Sequence, residues 1–206
     1  MTATILQNPS KNLTAKSDYT PEEYLAFEEN SEFKHEYRNG EIVPMTGGTT
    51  NHNEIAGNFY SYLKTTLKGQ NYRVFFADVR LWIPRYRQYT YPDVMVIQGK
   101  PVYEGKGKTT VTNPFLIMEV LSKSTQDYDK GTKFDYYRSI PELQEYILID
   151  QYQYHIQKFS KNADNNWVLR DIENPEDIVN LESLQLPISL KDLYDNVDFD
   201  DSKDKE

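Results

Sequence analysis

The residue with the most chemical content in this chain is Glu119. It interrupts Phe115-Leu116-Ile117-Met118-Glu119-Val120-Leu121, in which every neighbour is apolar. An ionised carboxylate inside a buried strand is costly unless a cation or several donors compensate it. Two readings follow: a structural carboxylate paired with a buried Lys or Arg, or a ligand held for a metal ion. Asp93 follows Pro92 and opens a second apolar run, Val94-Met95-Val96-Ile97. If the two strands are neighbours, their acids meet at one point. Two carboxylate oxygens plus waters are what Mg²⁺ (or Mn²⁺) accepts. Asp93 reads equally as an aspartate capping a strand start, and Asp78 either adds a ligand or serves a turn between Phe76 and Val79. Glu36 and Glu41 flank a turn, so strand alternation lets them face a cleft, although hairpin carboxylates are commonly exposed. Arg73, Arg80, Arg85 and Arg87, interleaved with Tyr86, Tyr89 and Tyr91, form a basic, aromatic stretch. Guanidinium forks suit phosphates and tyrosines stack on bases. The same residues serve an ordinary sheet surface.

Several of these segments fall into a recognisable order. Tyr91-Pro92-Asp93, then Glu119-Val120-Leu121-Ser122-Lys123-Ser124-Thr125, then Asp129 and Lys133, then Glu145-Tyr146-Ile147-Leu148-Ile149-Asp150 resemble the Uma-two family of bacterial restriction endonucleases, within the PD-(D/E)XK nuclease superfamily. Glu36, Asn39-Gly40-Glu41 and a Gly-rich loop leading to His52 match as well, so the resemblance spans Thr20 to Leu193. It implies an α/β (α+β) fold of restriction-endonuclease-like type: a mixed central sheet flanked by helices, with an N-terminal helix and β-hairpin. It implies a metal-dependent endonuclease acting on DNA, with Asp93 and Glu119 on Mg²⁺ and with His52 and Glu36 lining the site. That superfamily carries a Lys two positions beyond the strand acid, yet position 121 is Leu. The resemblance therefore implies a relocated lysine: Lys133, with Lys130 and Lys123 as the fallbacks. A helix packed over the strand can deliver an ammonium to the same point. Taken alone, Lys133 reads just as well as a solvated lysine paired with Asp129 four residues earlier, and His52 as a helix-start residue satisfying local backbone. Cleavage of both duplex strands favours a homodimer by symmetry. The competing function is a nuclease-fold module that binds nucleic acid or a protein without turnover, which Leu121 and the acidic balance motivate. A third is an interaction protein whose acidic ends mimic or repel nucleic acid.

The elements that must position these residues are legible in outline. Thr20-Pro21-Glu22-Glu23 is a capping box with Pro at the first helical position, opening a helix to about Asn30. Asn39-Gly40 between Phe33 to Arg38 and Glu41 to Met45 predicts a hairpin with a type I′ turn. A helix from about Asn51 to Lys68 places Ile55, Phe59, Tyr62, Leu63 and Leu67 near one stripe. Strands are expected at Arg73 to Phe76, Val79 to Ile83 and Val94 to Ile97, with Lys100 to Thr110 a loop. Phe115 to Leu121, apolar on both faces, predicts a central strand covered on both sides. Ser124 or Thr125 caps a helix through about Ser139, which Pro141 bounds. Strands at Glu145 to Ile149, Tyr154 to Ser160 and Trp167 to Asp171 and a short helix at Leu190 to Tyr194 complete a mixed sheet covered by helices.

Composition bounds the remaining possibilities. The 206 residues suffice for one sizeable core, read as residues 19–195 between a mobile leader, 1–18, and an acidic tail, 196–206. Hydrophobic content of 38% with 17 Tyr and 9 Phe supports a globular chain despite a mean hydropathy of -0.76. No Cys is present, which excludes disulfides, a thiolate nucleophile and Cys-ligated zinc. No apolar run suits a membrane span or a secretory signal, so the cytoplasm is the expected compartment. A net charge of -9 opposes non-specific attraction to DNA. Its distribution is uneven. From Lys64 to Arg138 stand 13 Lys and Arg against 7 Asp and Glu, a local +6 that leaves -15 for the rest. Walker, Rossmann, HExxH and Gly-x-Ser-x-Gly patterns are all absent from the sequence.

Overall fold

The computed structural model describes residues 18–105, 107–123 and 128–199. Helix α1 (Pro21–Glu28) starts as its sequence demands. The Thr20 side chain accepts from Glu23 N, the Glu23 carboxylate accepts from Thr20 N, and Pro21 occupies the first turn. The hairpin of β1 (His35–Arg38) and β2 (Glu41–Pro44) follows, with Arg38 opposite Glu41 and only Asn39-Gly40 between them. Both turn residues have positive φ, 45° and 107°, as a type I′ turn requires. Helix α2 (Thr50–Thr66) comes next, with the Thr49 hydroxyl accepting from His52 N.

The central strands are β3 (Tyr72–Phe76), β6 (Val94–Gln98), β8 (Leu116–Leu121), β9 (Glu145–Asp150), β10 (Ile156–Lys161) and β11 (Trp167–Ile172). They form one six-stranded sheet in the order β11-β10-β9-β8-β6-β3. Only the β8–β9 pair is parallel. All six residues of β8 are buried, as its unbroken apolar pattern predicts.

The sheet separates two cores. On one face, Leu116, Met118 and Val120 pack with Ile55, Phe59, Leu63 and Leu67 of α2. The same core takes in the hairpin β12 (Ile178–Leu181) and β13 (Leu186–Ser189) and the short helix α4 (Leu190–Leu193). On the other face, Met95, Ile97, Ile117 and Leu121 pack with Tyr137, Ile140 and Leu143. Tyr137 ends α3 (Phe134–Tyr137), which continues directly from a π-helical turn, Asp129–Lys133.

A second sheet stands beside the central one. Its order is β2-β1-β5-β4-β7, where β4 is Arg80–Ile83, β5 is Gln88–Thr90 and β7 is Thr110–Val111. The N-terminal hairpin is thus the edge of a five-stranded sheet. A third core of Tyr24, Tyr37, Ile42 and Tyr89 holds α1 against it. Leu81 and Ile83 of β4 meanwhile join the second face of the central sheet. The packed region also runs past residue 195: the rings of Tyr154 and Phe199 lie 4.8 Å apart. The expected leader, apart from Asp18, the Ser124 or Thr125 cap and residues 200–206 lie outside the described residues.

Candidate active site

Register brings the two strand acids together. Strands β6 and β8 are antiparallel with Val94 opposite Met118, so one further step sets Asp93 opposite Glu119 on the same sheet face. Their side chains reach across the ladder in both directions. Asp93 Oδ2 accepts from Val120 N at 2.8 Å, and Glu119 Oε2 lies 3.4 Å from Asp93 N. Glu119 is 4% exposed, and Asp93 is somewhat more open.

The π-turn and α3 cover this face. Lys133 Nζ lies 2.8 Å from Glu119 Oε1, 3.3 Å from Asp129 Oδ1 and 3.6 Å from Glu36 Oε1. Tyr137 donates its hydroxyl to Glu119 Oε1 at 2.6 Å. A π-turn is a usual device where a helix must aim side chains at a site. Here it turns Asp129 and Lys133 inward, both buried, while Tyr146 ties it to the sheet by donating to Asp129 O at 3.1 Å.

The second sheet supplies the opposite wall. Along β1, Tyr37 faces the aromatic core and Glu36 faces the other way, toward Lys133. Thr90 of β5 donates to Glu36 Oε1, and Arg38 holds Glu36 Oε2 through two nitrogens at 2.6 and 3.0 Å. The Arg38 guanidinium lies 3.9 Å from the centre of the Tyr128 ring. From the other side of the central sheet, the first turn of α2 places His52 Nε2 3.2 Å from Asp93 Oδ2. That turn is fixed by a chain of bonds: Thr49 donates to the Gln151 side chain, whose amide donates to Leu121 O at 2.7 Å.

The electrostatics follow from this crowding. Four carboxylates (Glu36, Asp93, Glu119 and Asp129) face two permanent cations, Lys133 and Arg38. Burial pushes the Glu119 carboxyl up to about 8; Lys133 opposes that, while Asp93 and Asp129 reinforce it. Burial works against the charged form of Lys133, but the acids around it, Glu119 first, hold its proton well above the ordinary lysine range. Because several carboxylates share one ammonium, Lys133 stays charged and Glu119 is the group that titrates. Glu36 ends below its ordinary value, since Lys133 and Arg38 outweigh its burial. His52 ends above its own, since the bond to Asp93 outweighs desolvation.

The donor set suits a hard divalent cation. Glu119 Oε1 is taken up by Lys133 and Tyr137, whereas Oε2 lies on the Asp93 side with one long backbone contact. Among the described residues no three His, Asp or Glu side chains form a ready-made cage. Two carboxylates with the remaining positions left to water match the hydrated, octahedral habit of Mg²⁺.

The Uma2 family model, described as "Putative restriction endonuclease", matches residues 21–191. The chain belongs to the Uma2 family. Two relatives come from Synechocystis sp. (strain ATCC 27184 / PCC 6803 / Kazusa). "Uncharacterized protein sll1609" is 43% identical over 159 residues, 76% of this chain and 90% of the relative. "Uncharacterized protein slr1290" is 34% identical over 180 residues, 87% of this chain and 93% of the relative. Among solved structures, the crystal structure of "a putative nuclease belonging to DUF820" from Anabaena variabilis ATCC 29413 superposes with a TM-score of 0.71. It covers 85% of this chain and 97% of that one at 21% identity, a likeness of fold. No described helix of this Uma2 protein is long and apolar enough to cross a membrane.

The structure of this Uma2 protein gathers Asp93, Glu119, Lys133, His52 and Glu36 into one cluster. Lys133 keeps its pairing with Asp129 but is buried rather than solvated, because the π-turn faces the sheet. Lys123 is exposed, with its ammonium 5.5 Å from the centre of the Tyr152 ring. Asp78 is also exposed and pairs with Lys34; Glu41 is exposed at the turn. The basic, aromatic stretch is divided between buried and exposed positions. Arg80 is 7% exposed, donates to Thr110 Oγ1 at 2.9 Å and packs among Tyr24, Tyr89 and Tyr91. Arg87 is engaged by Tyr37, Asn39 and Tyr19 O, whereas Arg73 and Arg85 are exposed. Sequence reasoning missed Tyr137, Arg38 and Thr90 as members of the cluster. Asp129, Lys133 and Tyr137 stand at steps of four, one helical stripe, and Arg38 lies two residues from Glu36 on one strand face.

Proposed function

We propose that this protein is a divalent-metal-dependent endonuclease that hydrolyses phosphodiester bonds in DNA, working in the cytoplasm with Mg²⁺ or Mn²⁺. One observation carries the reading: Asp93 and Glu119 face each other across β6 and β8, with the Lys133 ammonium 2.8 Å from Glu119. Asp93 and Glu119 would hold the cation. When bound, a divalent ion lowers the pKa of a coordinated water and offsets charge on the scissile phosphate.

The chain's own residues divide the other tasks. Lys133 remains charged and keeps positive potential beside the reacting phosphate, where charge builds up as water adds and the ester oxygen leaves. Glu36, itself held by Thr90 and Arg38, anchors Lys133 from the second sheet. His52 fixes the Asp93 carboxylate from the α2 side. Arg85 is an exposed guanidinium able to meet a backbone phosphate. Cleavage of both strands of a duplex would be served by a two-fold homodimer.

The test is nicking of supercoiled DNA in Mg²⁺ or Mn²⁺, with EDTA as the blank. The wild type is expected to nick, and Asp93→Ala and Glu119→Ala to lose that activity. Cleavage that survives both substitutions would overturn the proposal.

A further inference from the structure

We propose that Tyr137 is a positioning residue for the metal site, fixing the Glu119 carboxylate so that a single oxygen, Oε2, is presented on the Asp93 side. The inference rests on the metal-dependent reading above and adds to it the group that orients one ligand.

Tyr137 is wholly buried in the second-face core, where a phenyl ring would pack as well as a phenol. Its hydroxyl therefore needs a separate reason. It donates to Glu119 Oε1, at 2.6 Å. That oxygen also takes the Lys133 ammonium at 2.8 Å, so two donors hold one oxygen and leave the other toward Asp93. Lys133 alone would hold it less firmly, because the ammonium is shared with Asp129 and Glu36. The phenol is not shared in this way. The ring itself is set edge-on against Tyr146, with centroids 5.1 Å apart. The donor thus has no freedom to follow a wandering carboxylate. Partners of this kind, bonded to a ligand rather than to the metal, are usually worth about 10- to 100-fold in metal affinity.

The experiment is a Mn²⁺ titration of the full chain, followed by the paramagnetic resonance signal of the free ion and requiring no turnover. Four proteins are compared: wild type, Asp93→Ala, Tyr137→Phe and Tyr24→Phe. Tyr24 also buries a hydroxyl, bonded to His35 O at 2.6 Å in the separate aromatic core, and so reports the general cost of losing one. Phe fills the space of Tyr, so circular dichroism should show both Tyr variants folded. The expected result is Asp93-dependent binding that Tyr137→Phe weakens by about tenfold or more and Tyr24→Phe leaves unchanged. Wild-type binding that depends on Asp93 but is untouched by Tyr137→Phe overturns the role of Tyr137 alone. Absence of Asp93-dependent binding in the wild type overturns it together with the metal site.

Discussion

At the scale of single residues, the site is a problem of excess negative charge. Lys133 serves several carboxylates at once, and the one buried deepest in the sheet, Glu119, is left with a carboxyl raised from 4.5 to about 8. Between those two values the metal-free folded protein keeps a proton that the unfolded chain has released. Stability must then fall as pH rises through this window. Glu145, raised by its burial to about 7, contributes in the same direction. So does His52, whose folded value lies above its ordinary one, because its stabilising charge is lost as pH rises. Glu36 acts oppositely: its lowered value adds stability that disappears as pH falls through its folded pKa. Urea denaturation of metal-free protein from pH 5 to pH 9 is expected to show the decline. Glu119→Gln should flatten it most above about pH 7, where Glu145 has already ionised. An unchanged slope in that variant would mean that Glu119 is ionised throughout. Glu119 and Asp93 were legible in the sequence because each is a charge attached to an apolar run. Tyr137 was not, since a tyrosine in a helix reads as core whether or not its hydroxyl has a task.

At the scale of elements, local chemistry was legible and long-range pairing was not. Thr20-Pro21-Glu22-Glu23 and Asn39-Gly40 specify their structures within a few residues, and both formed as read. Strands β5 and β7 are three and two residues long, too short for any period to show; β5 pairs with the nearby β4 and the distant β1, and β7 with the distant β4. That pairing creates the second sheet, and with it the Thr90–Glu36 contact. The helix expected through Ser139 contains a π-turn, which hydrophobic spacing at 3.6 residues cannot distinguish from α. The hairpin turn offers a direct test of how firmly the second sheet holds its wall of the site. Gly40 has φ of +107°, and a Cβ there would stand 2.5 Å from Asp18 Oδ1. Gly40→Ala combines an unfavourable backbone conformation with that collision, and is expected to cost about 1–3 kcal/mol. A lower urea midpoint at unchanged slope would register it. A midpoint equal to wild type would show that the turn yields without strain.

At the scale of the whole molecule, the residues that meet at the site come from both sheets, the π-turn and α2, so its geometry depends on how those layers are clamped. One clamp is the segment after α4, of which residues 196–206 read from the sequence as an acidic tail. Its first residues are built into the structure instead. Asn51, beside His52, donates to Asp198 O at 2.7 Å and accepts from Asp198 N at 3.3 Å. Asn58 donates to Asp195 O at 2.9 Å, and Phe199 packs against the rings of Tyr154 and Tyr194. Acidic side chains at 195 and 198 hide this role, because backbone groups and the neighbouring Val197 and Phe199 make the contacts. A chain ending at Tyr194 would lose the partial burial of two apolar side chains, about 1.5–3 kcal/mol for a fully buried one. It would also lose hydrogen bonds worth about 0.5–1.5 kcal/mol each. A net cost of about 3 kcal/mol corresponds to a fall of about 6–12 °C in the unfolding temperature of a chain this size. Calorimetry of the truncated protein would measure it, and the first turn of α2, with His52 on it, is the part expected to loosen. A truncated protein that melts with the full chain would return the segment to the status of a tail and leave the contacts of Thr49 and Asn51 with Gln151 and of His52 with Asp93 to hold that turn.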